Sequence, residues 1–182
     1  MTRSGNVRPA PGIVLVGPRG AGKSTVATAM GNHLGWTHRD TDDLIAQDIG
    51  YPAGAFLASV GEASFRVVEE RIVTAALADN DGQVLALGGG AVLSAKTRSQ
   101  LAHREHFVVF LFAPVPVLLD RANIGPIRPP LTDLPPDEEV ARLWQERLPL
   151  YQSVSDLELD TFSANVSACV RSIMANMGHS GA

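Results

Sequence analysis

Gly17-Pro18-Arg19-Gly20-Ala21-Gly22-Lys23-Ser24-Thr25 satisfies the spacing G-x-x-x-x-G-K-[ST] at every position. Glycines let the backbone curl so that successive N–H groups converge on phosphate oxygens, and a following helix adds the positive end of its dipole. In that arrangement Lys23 reaches the β- and γ-phosphates of a nucleotide such as ATP, and the Ser24 hydroxyl ligates Mg2+. A chance glycine-rich turn would not account for the flanks. The apolar run Gly12-Ile13-Val14-Leu15-Val16 before the motif reads as a strand buried on both faces, and residues 25–34 after it have helical length and spacing. Of 15 basic residues only Lys23 and Lys96 are lysines, and one of them stands in the motif. The motif predicts nucleotide binding and leaves the acceptor open.

On the C-terminal side, strands and helices alternate. Residues 36–40 read as a second strand, 41–50 as a helix stopped by glycine, and 62–78 as a longer helix. Residues 83–87 form a strand pattern ending at Gly88-Gly89-Gly90; 94–103 read as helix, 107–112 as strand and 115–122 as helix. Residues 123–136 are proline-rich and without periodicity, and read as a flap or lid. A helix over 137–151, a short strand over 157–159 and a closing helix over 164–177 complete the chain. The alternation predicts an α/β fold in three layers, a parallel sheet with helices on both faces. Ligands bind such sheets at the edge where the strands' C-terminal ends meet. That edge would gather residues 17–25, 40–42 and 88–90.

A chain of 182 residues suits one domain, with residues 1–11 a loose lead-in that lacks a signal-peptide core. Its net charge of −4 and 45% hydrophobic content give no reason to expect a nucleic-acid or membrane partner. No apolar run approaches the roughly 20 residues that span a bilayer. Cys169 is the sole cysteine, which excludes an intrachain disulfide and a cysteine metal cluster, and the five histidines show no metal-ligand spacing. A cytoplasmic monomer is expected.

Chemistry is sought in six further side chains. Asp40-Thr41-Asp42-Asp43 falls where a strand gives way to a helix, so an aspartate there either caps the helix or serves the ligand edge. A kinase needs one carboxylate near Mg2+ and another for the acceptor hydroxyl's proton. On that reading Asp40 belongs to the metal's water shell and Asp42 to the acceptor, with Asp43 solvated. In the helix over 62–78, Phe65, Val68, Ile72 and Ala76 make an apolar stripe that includes Glu69, with Arg66 at its margin. Arg66 and Glu69 are either a surface ion pair or a buried glutamate holding an arginine toward an anion. Arg147 lies near the centre of the stripe Val140, Leu143, Trp144, Leu148. There it either joins a structural ion pair or grips a carboxylate, which its planar fork matches. Arg128, in the proline-rich stretch, is either an exposed loop residue or a cation carried over the phosphates. Arg121 ends a helix and either stacks on adenine or meets the helix dipole.

Together these residues resemble the shikimate kinases from Gly12 onward. The resemblance rests on the order and spacing of the phosphate loop, Asp40-Thr41-Asp42, Gly61-Glu62 with Phe65-Arg66, Gly88-Gly89-Gly90, Arg128 before proline, and Arg147 before Leu148-Pro149-Leu150-Tyr151. It implies a nucleoside-monophosphate-kinase-like fold with a five-stranded parallel sheet and a mobile lid. It also implies transfer of the γ-phosphoryl group of ATP to the 3-hydroxyl of shikimate, in aromatic amino-acid biosynthesis. By that resemblance Arg66 and Arg147 bind the shikimate carboxylate, Gly88, Gly89 and Gly90 line the substrate, and Asp42 contacts its ring hydroxyls. Lys23 and Arg128 stabilise the phosphoryl group, Ser24 and Asp40 hold Mg2+, and Arg121 meets adenine. Two departures stand out: Pro130 follows Arg128-Pro129 where the family has leucine, and residues 160–166, expected to border adenine, contain no proline. A gluconate-type kinase and a nucleotide-binding regulatory protein are the competing readings.

Overall fold

The computed structural model describes residues 12–79, 82–102, 106–124 and 130–177. Five strands, β1 (Gly12–Val16), β2 (Thr37–Asp40), β3 (Gln83–Ala86), β4 (His106–Phe112) and β5 (Leu157–Asp160), form one sheet in the order β2-β3-β1-β4-β5. Every pairing is parallel, with Leu15 of β1 set between Ala86 of β3 and Val109 of β4. The central strand is buried throughout, as its unbroken apolar run requires.

Period-two alternation divides β1 between two helical layers. Ile13 and Leu15 pack with α1 (Lys23–Leu34) and α7 (Val166–Met177), through Val26, Met30, Cys169 and Ile173. Val14 and Val16 face α3 (Ala53–Ala78), α4 (Ala95–Leu101) and α6 (Pro136–Gln152), through Val73, Leu77, Leu101 and Tyr151. Helices α2 (Thr41–Ile49) and α5 (Val115–Ile124) flank the ligand edge. Each fully buried aliphatic side chain contributes about 1.5–3 kcal/mol, so the two faces of one sheet hold most of the driving force. This is the α/β three-layer architecture expected from the alternation.

The differences are local. Helix α1 starts at Lys23, two residues before the expected point, because Gly22 turns the chain into it with a left-handed φ of 84°. Helix α3 begins at Ala53, not at residue 62, and breaks at Gly61, where φ 75° and ψ 166° interrupt two helical stretches. A short 3-10 turn, Ala91–Leu93, follows the triple glycine. Helix α5 runs on to Ile124 and α6 starts at Pro136, so the ends of the 123–136 stretch are helical. Residues 125–129 and the lead-in over 1–11 lie outside the described residues. Among the described residues no helix is long and apolar enough to cross a membrane.

Candidate active site

The turn between β1 and α1 is pressed onto β4. A methyl group in place of hydrogen at Gly17 would lie 2.1 Å from the Leu111 carbonyl oxygen, so only glycine fits there. Gly22 caps α1 without a side-chain hydrogen bond, and no acidic residue stands in the first turn. The helix therefore presents its first N–H groups and positive dipole to the loop, which suits an anion. Lys23 Nζ donates to the carbonyls of Gly17 at 2.9 Å and Pro18 at 2.8 Å, arching across the same loop.

Asp40 ends β2 and makes two side-chain contacts at the start of α2 and α1. Its Oδ1 accepts from the Asp42 backbone N–H at 2.9 Å and caps α2, while its Oδ2 accepts from Ser24 Oγ at 2.6 Å. A hydroxyl and a carboxylate so close are two hard oxygens suited to a hydrated Mg2+. Among the described residues no group of three His, Cys, Asp or Glu side chains could hold a metal alone, so the donor set fits an ion shared with phosphates. The pocket over the loop has a volume of about 160 Å³ and is lined by Lys23, Ser24, Thr25, Asp40 and Asp42 among others. Burial, then the charges of Asp40 and Asp42, raise the carboxyl pKa of Asp43.

Beside it opens a cavity of about 380 Å³ between α3, the triple glycine, α5, α6 and the returning arm of the proline-rich stretch. Arg66 donates from Nη1 to Glu69 Oε2 at 2.6 Å and from Nη2 to Glu62 Oε1 at 2.8 Å. Glu69 is 3% exposed. Burial raises its pKa above the ordinary carboxyl value, against the opposing pull of Arg66. Burial also works against the Arg66 charge, but Glu69 and Glu62 outweigh it and raise the guanidinium's pKa. The triple glycine is set against this pair: a methyl at Gly90 would fall 2.1 Å from Arg66 Nη1, and one at Gly88 would fall 2.9 Å from Glu69 Oε1. The buried Gly88 N–H donates to Thr41 Oγ1 at 2.8 Å, which ties this strand end to the start of α2.

Arg147 reaches the opposite wall. Its Nη1 donates to the Gly89 carbonyl at 3.4 Å, while its Nε is buried without a hydrogen-bond partner. A buried donor left so costs about 1–3 kcal/mol, which an arriving acceptor would recover. Among the described residues no carboxylate forms an ion pair with Arg147 within 4 Å, although its charge acts on the buried Glu69, and both arginines line one cavity. Tyr151, one turn on, donates from its hydroxyl to the same Gly89 carbonyl at 2.5 Å and stacks on Phe110 at 5.0 Å. Burial pushes its phenol up to about 12. Sequence reasoning gave Tyr151 no role, although its i,i+4 spacing from Arg147 puts both on one helix face.

Arg121 donates to Thr161 Oγ1 at 2.9 Å, to the Thr161 carbonyl at 3.0 Å and to the Gly20 carbonyl at 3.3 Å. From the last turn of α5 it reaches the phosphate loop and the turn after β5. Glu139, also unassigned from sequence, accepts at one oxygen from Leu131 N–H at 3.0 Å, Thr132 N–H at 2.7 Å and Thr132 Oγ1 at 2.8 Å. The returning arm is thereby fastened to α6. Arg128 lies outside the described residues.

Comparison with known proteins adds four findings. A family model described as shikimate kinase matches residues 19–178. A shikimate kinase of Saccharopolyspora erythraea is 43% identical over 164 residues, covering 90% of this chain and 92% of the relative. The solved structure of shikimate kinase from Acinetobacter baumannii, in complex with shikimate, superposes with a TM-score of 0.86 at 30% identity, covering 94% of each chain. A gluconokinase structure from Sinorhizobium meliloti, at 17% identity and a TM-score of 0.56, shares the fold alone.

Proposed function

The chain belongs to the shikimate kinase family and has shikimate kinase activity; from that premise we propose that the phosphate pocket holds ATP with Mg2+ and the adjoining cavity holds shikimate. The observation that carries this assignment is the convergence of Arg66 and Arg147 on the cavity beside Gly89 and Gly90. Two guanidinium groups on facing walls suit a carboxylate, which a regulatory nucleotide site does not call for.

In this reading the loop over residues 17–25 cradles the phosphates through its N–H groups. Lys23 exchanges the Gly17 and Pro18 carbonyls for phosphate oxygens, and Arg128 joins it from the lid. Arg121 borders adenine. Ser24 and, through water, Asp40 would hold Mg2+, which when bound supplies neutralising charge to the phosphates. The clamp sets the shikimate 3-hydroxyl toward the γ-phosphorus. Its oxygen forms the new P–O bond as the bond to the β-bridging oxygen breaks, and Asp42 takes the hydroxyl proton. The returning arm, held by Glu139, shields the junction from water. We take the chain to act as a cytoplasmic monomer, one kinase unit with its lid over residues 123–136.

A coupled ADP-release assay with ATP, Mg2+ and either shikimate or gluconate tests the assignment. Turnover with shikimate alone supports the cavity as drawn. Turnover with gluconate alone would leave the phosphate site intact and overturn the reading of the cavity as a shikimate pocket. Tight ATP binding without turnover on either acceptor would favour the regulatory alternative.

A further inference from the structure

Gly89 lines both the phosphate pocket and the acceptor cavity. On the loop side it is in close contact: a methyl there would lie 3.4 Å from Arg19 N and 3.5 Å from the Gly17 carbonyl oxygen. On the α6 side its carbonyl accepts from two donors, the Tyr151 hydroxyl at 2.5 Å and Arg147 Nη1 at 3.4 Å. The first is a short hydrogen bond and the second lies near the outer limit of one. The phenol is therefore the main partner, and the guanidinium is held loosely.

That difference bears on the clamp. A carboxylate arriving at Arg147 draws the guanidinium toward itself, because a charge-assisted bond is stronger than one to a neutral carbonyl. If Arg147 were the sole donor, that movement would leave the Gly89 carbonyl unpaired and weaken binding by the same amount. With Tyr151 in place the carbonyl stays paired wherever Arg147 turns. The phenol is well fixed for this duty: it is 1% exposed and stacks on Phe110 at 5.0 Å. Burial pushes its pKa up to about 12, so it remains a neutral donor at physiological pH. Arg147, one turn earlier on the same helix face, opposes that rise through its charge and hydrogen bonding, which ties the two side chains to each other.

We propose that Tyr151 is a positioning residue of the acceptor site: by holding the Gly89 carbonyl, it frees the Arg147 guanidinium for the acceptor's carboxylate. The proposal rests on the reading of the cavity as the shikimate site. Tyr151 acts through Arg147 and has no part in the phosphoryl transfer itself.

The test begins with Tyr151→Phe, which keeps the ring and removes one hydroxyl. It is expected to raise the shikimate KM about threefold to tenfold, with kcat and the ATP KM within about twofold of the wild type. The loss should also require Arg147. In an Arg147→Ala background, adding Tyr151→Phe should change the shikimate Kd, read by calorimetry, by less than about twofold. The same factor in both backgrounds would overturn the proposal and leave Tyr151 a packing residue, and so would an equal rise in the ATP KM. The chain has two tyrosines, so 3-fluorotyrosine incorporated into a Tyr51→Phe chain provides a second variant at Tyr151 alone. It retains the hydroxyl as a stronger donor, and it decides the matter if Tyr151→Phe does not fold. Its shikimate KM should stay at or below that of the unlabelled Tyr51→Phe parent; a rise would show that ring packing, not the hydrogen bond, governs affinity. A wild type that does not turn over shikimate would instead remove the acceptor reading itself, and the positioning role with it.

Discussion

Arg66 and Arg147 face one cavity from unlike surroundings, and the contrast sets what each substitution should do. Arg66 is held between Glu62 and Glu69, whereas Arg147, 8% exposed, keeps a buried Nε without a partner. Arg147 therefore gains most from a ligand carboxylate. Charge-assisted bonds contribute about 1.5–3 kcal/mol each, so Arg147→Ala should raise the shikimate KM roughly tenfold to a hundredfold. The ATP KM should stay within about twofold; steady-state kinetics with each substrate varied checks both. Glu69 gives a pH signature. Its pKa is raised by burial, so the folded protein binds the proton more tightly than the unfolded chain does. Its stabilising contribution is then fully present below the unfolded pKa and is lost as pH rises through the raised folded one. Activity runs the other way, because protonation removes the partner that aims Arg66. The kcat/KM for shikimate should fall on the acid side with a midpoint above the ordinary carboxyl value, and Glu69→Gln should lose that limb while lowering kcat/KM at neutral pH. An acid limb that is unchanged in the variant would assign it to another group.

The longest helix, α3, works as two segments because Gly61 lies between them with φ 75° and ψ 166°, a conformation that belongs almost to glycine alone. The first segment brings Ala53, Gly54 and Leu57 to the cavity and the second brings Phe65, Arg66 and Glu69. No heavy atom would lie within 4 Å of a methyl at Gly61, so its replacement carries a purely conformational cost. Gly61→Ala should lose about 1–3 kcal/mol and lower Tm, with a rise in the shikimate KM larger than in the ATP KM as the segments re-aim. A melt matching the wild type would show that the break relaxes freely. This element also marks a limit of reading by pattern: Gly54 and Gly61 bracket a stretch with little polar–apolar contrast, and its helix forms by packing onto α2 rather than from its own periodicity. The stripe of α6, by contrast, placed Arg147 inward from sequence alone.

At the scale of the molecule, one sheet supplies the backing for both helical layers, and both cavities open along its C-terminal edge. Such a design should unfold as a unit. Far-UV circular dichroism and the fluorescence of Trp36 and Trp144 should give coincident urea transitions, and shikimate at about 100 times its Kd should add about 2.7 kcal/mol. Separated midpoints would mean that the cavity walls open apart from the sheet. The apolar run of β1, the phosphate-loop spacing and the strand–helix alternation were enough to predict the layers, the parallel sheet and the ligand edge, because these follow from local period and from short motifs. The same patterns marked Arg66, Glu69 and Arg147, since an ionised side chain within an apolar stripe has to find a partner. They were silent on Tyr151 against Gly89, Glu139 beneath the returning arm, and Arg19 against Ala122. Each of those joins residues at least seven positions apart, and for Tyr151 and Arg19 the separation is 62 and 103. Periodicity reports which face of an element is buried; which distant carbonyl or carboxylate waits there is set when the layers close around the sheet.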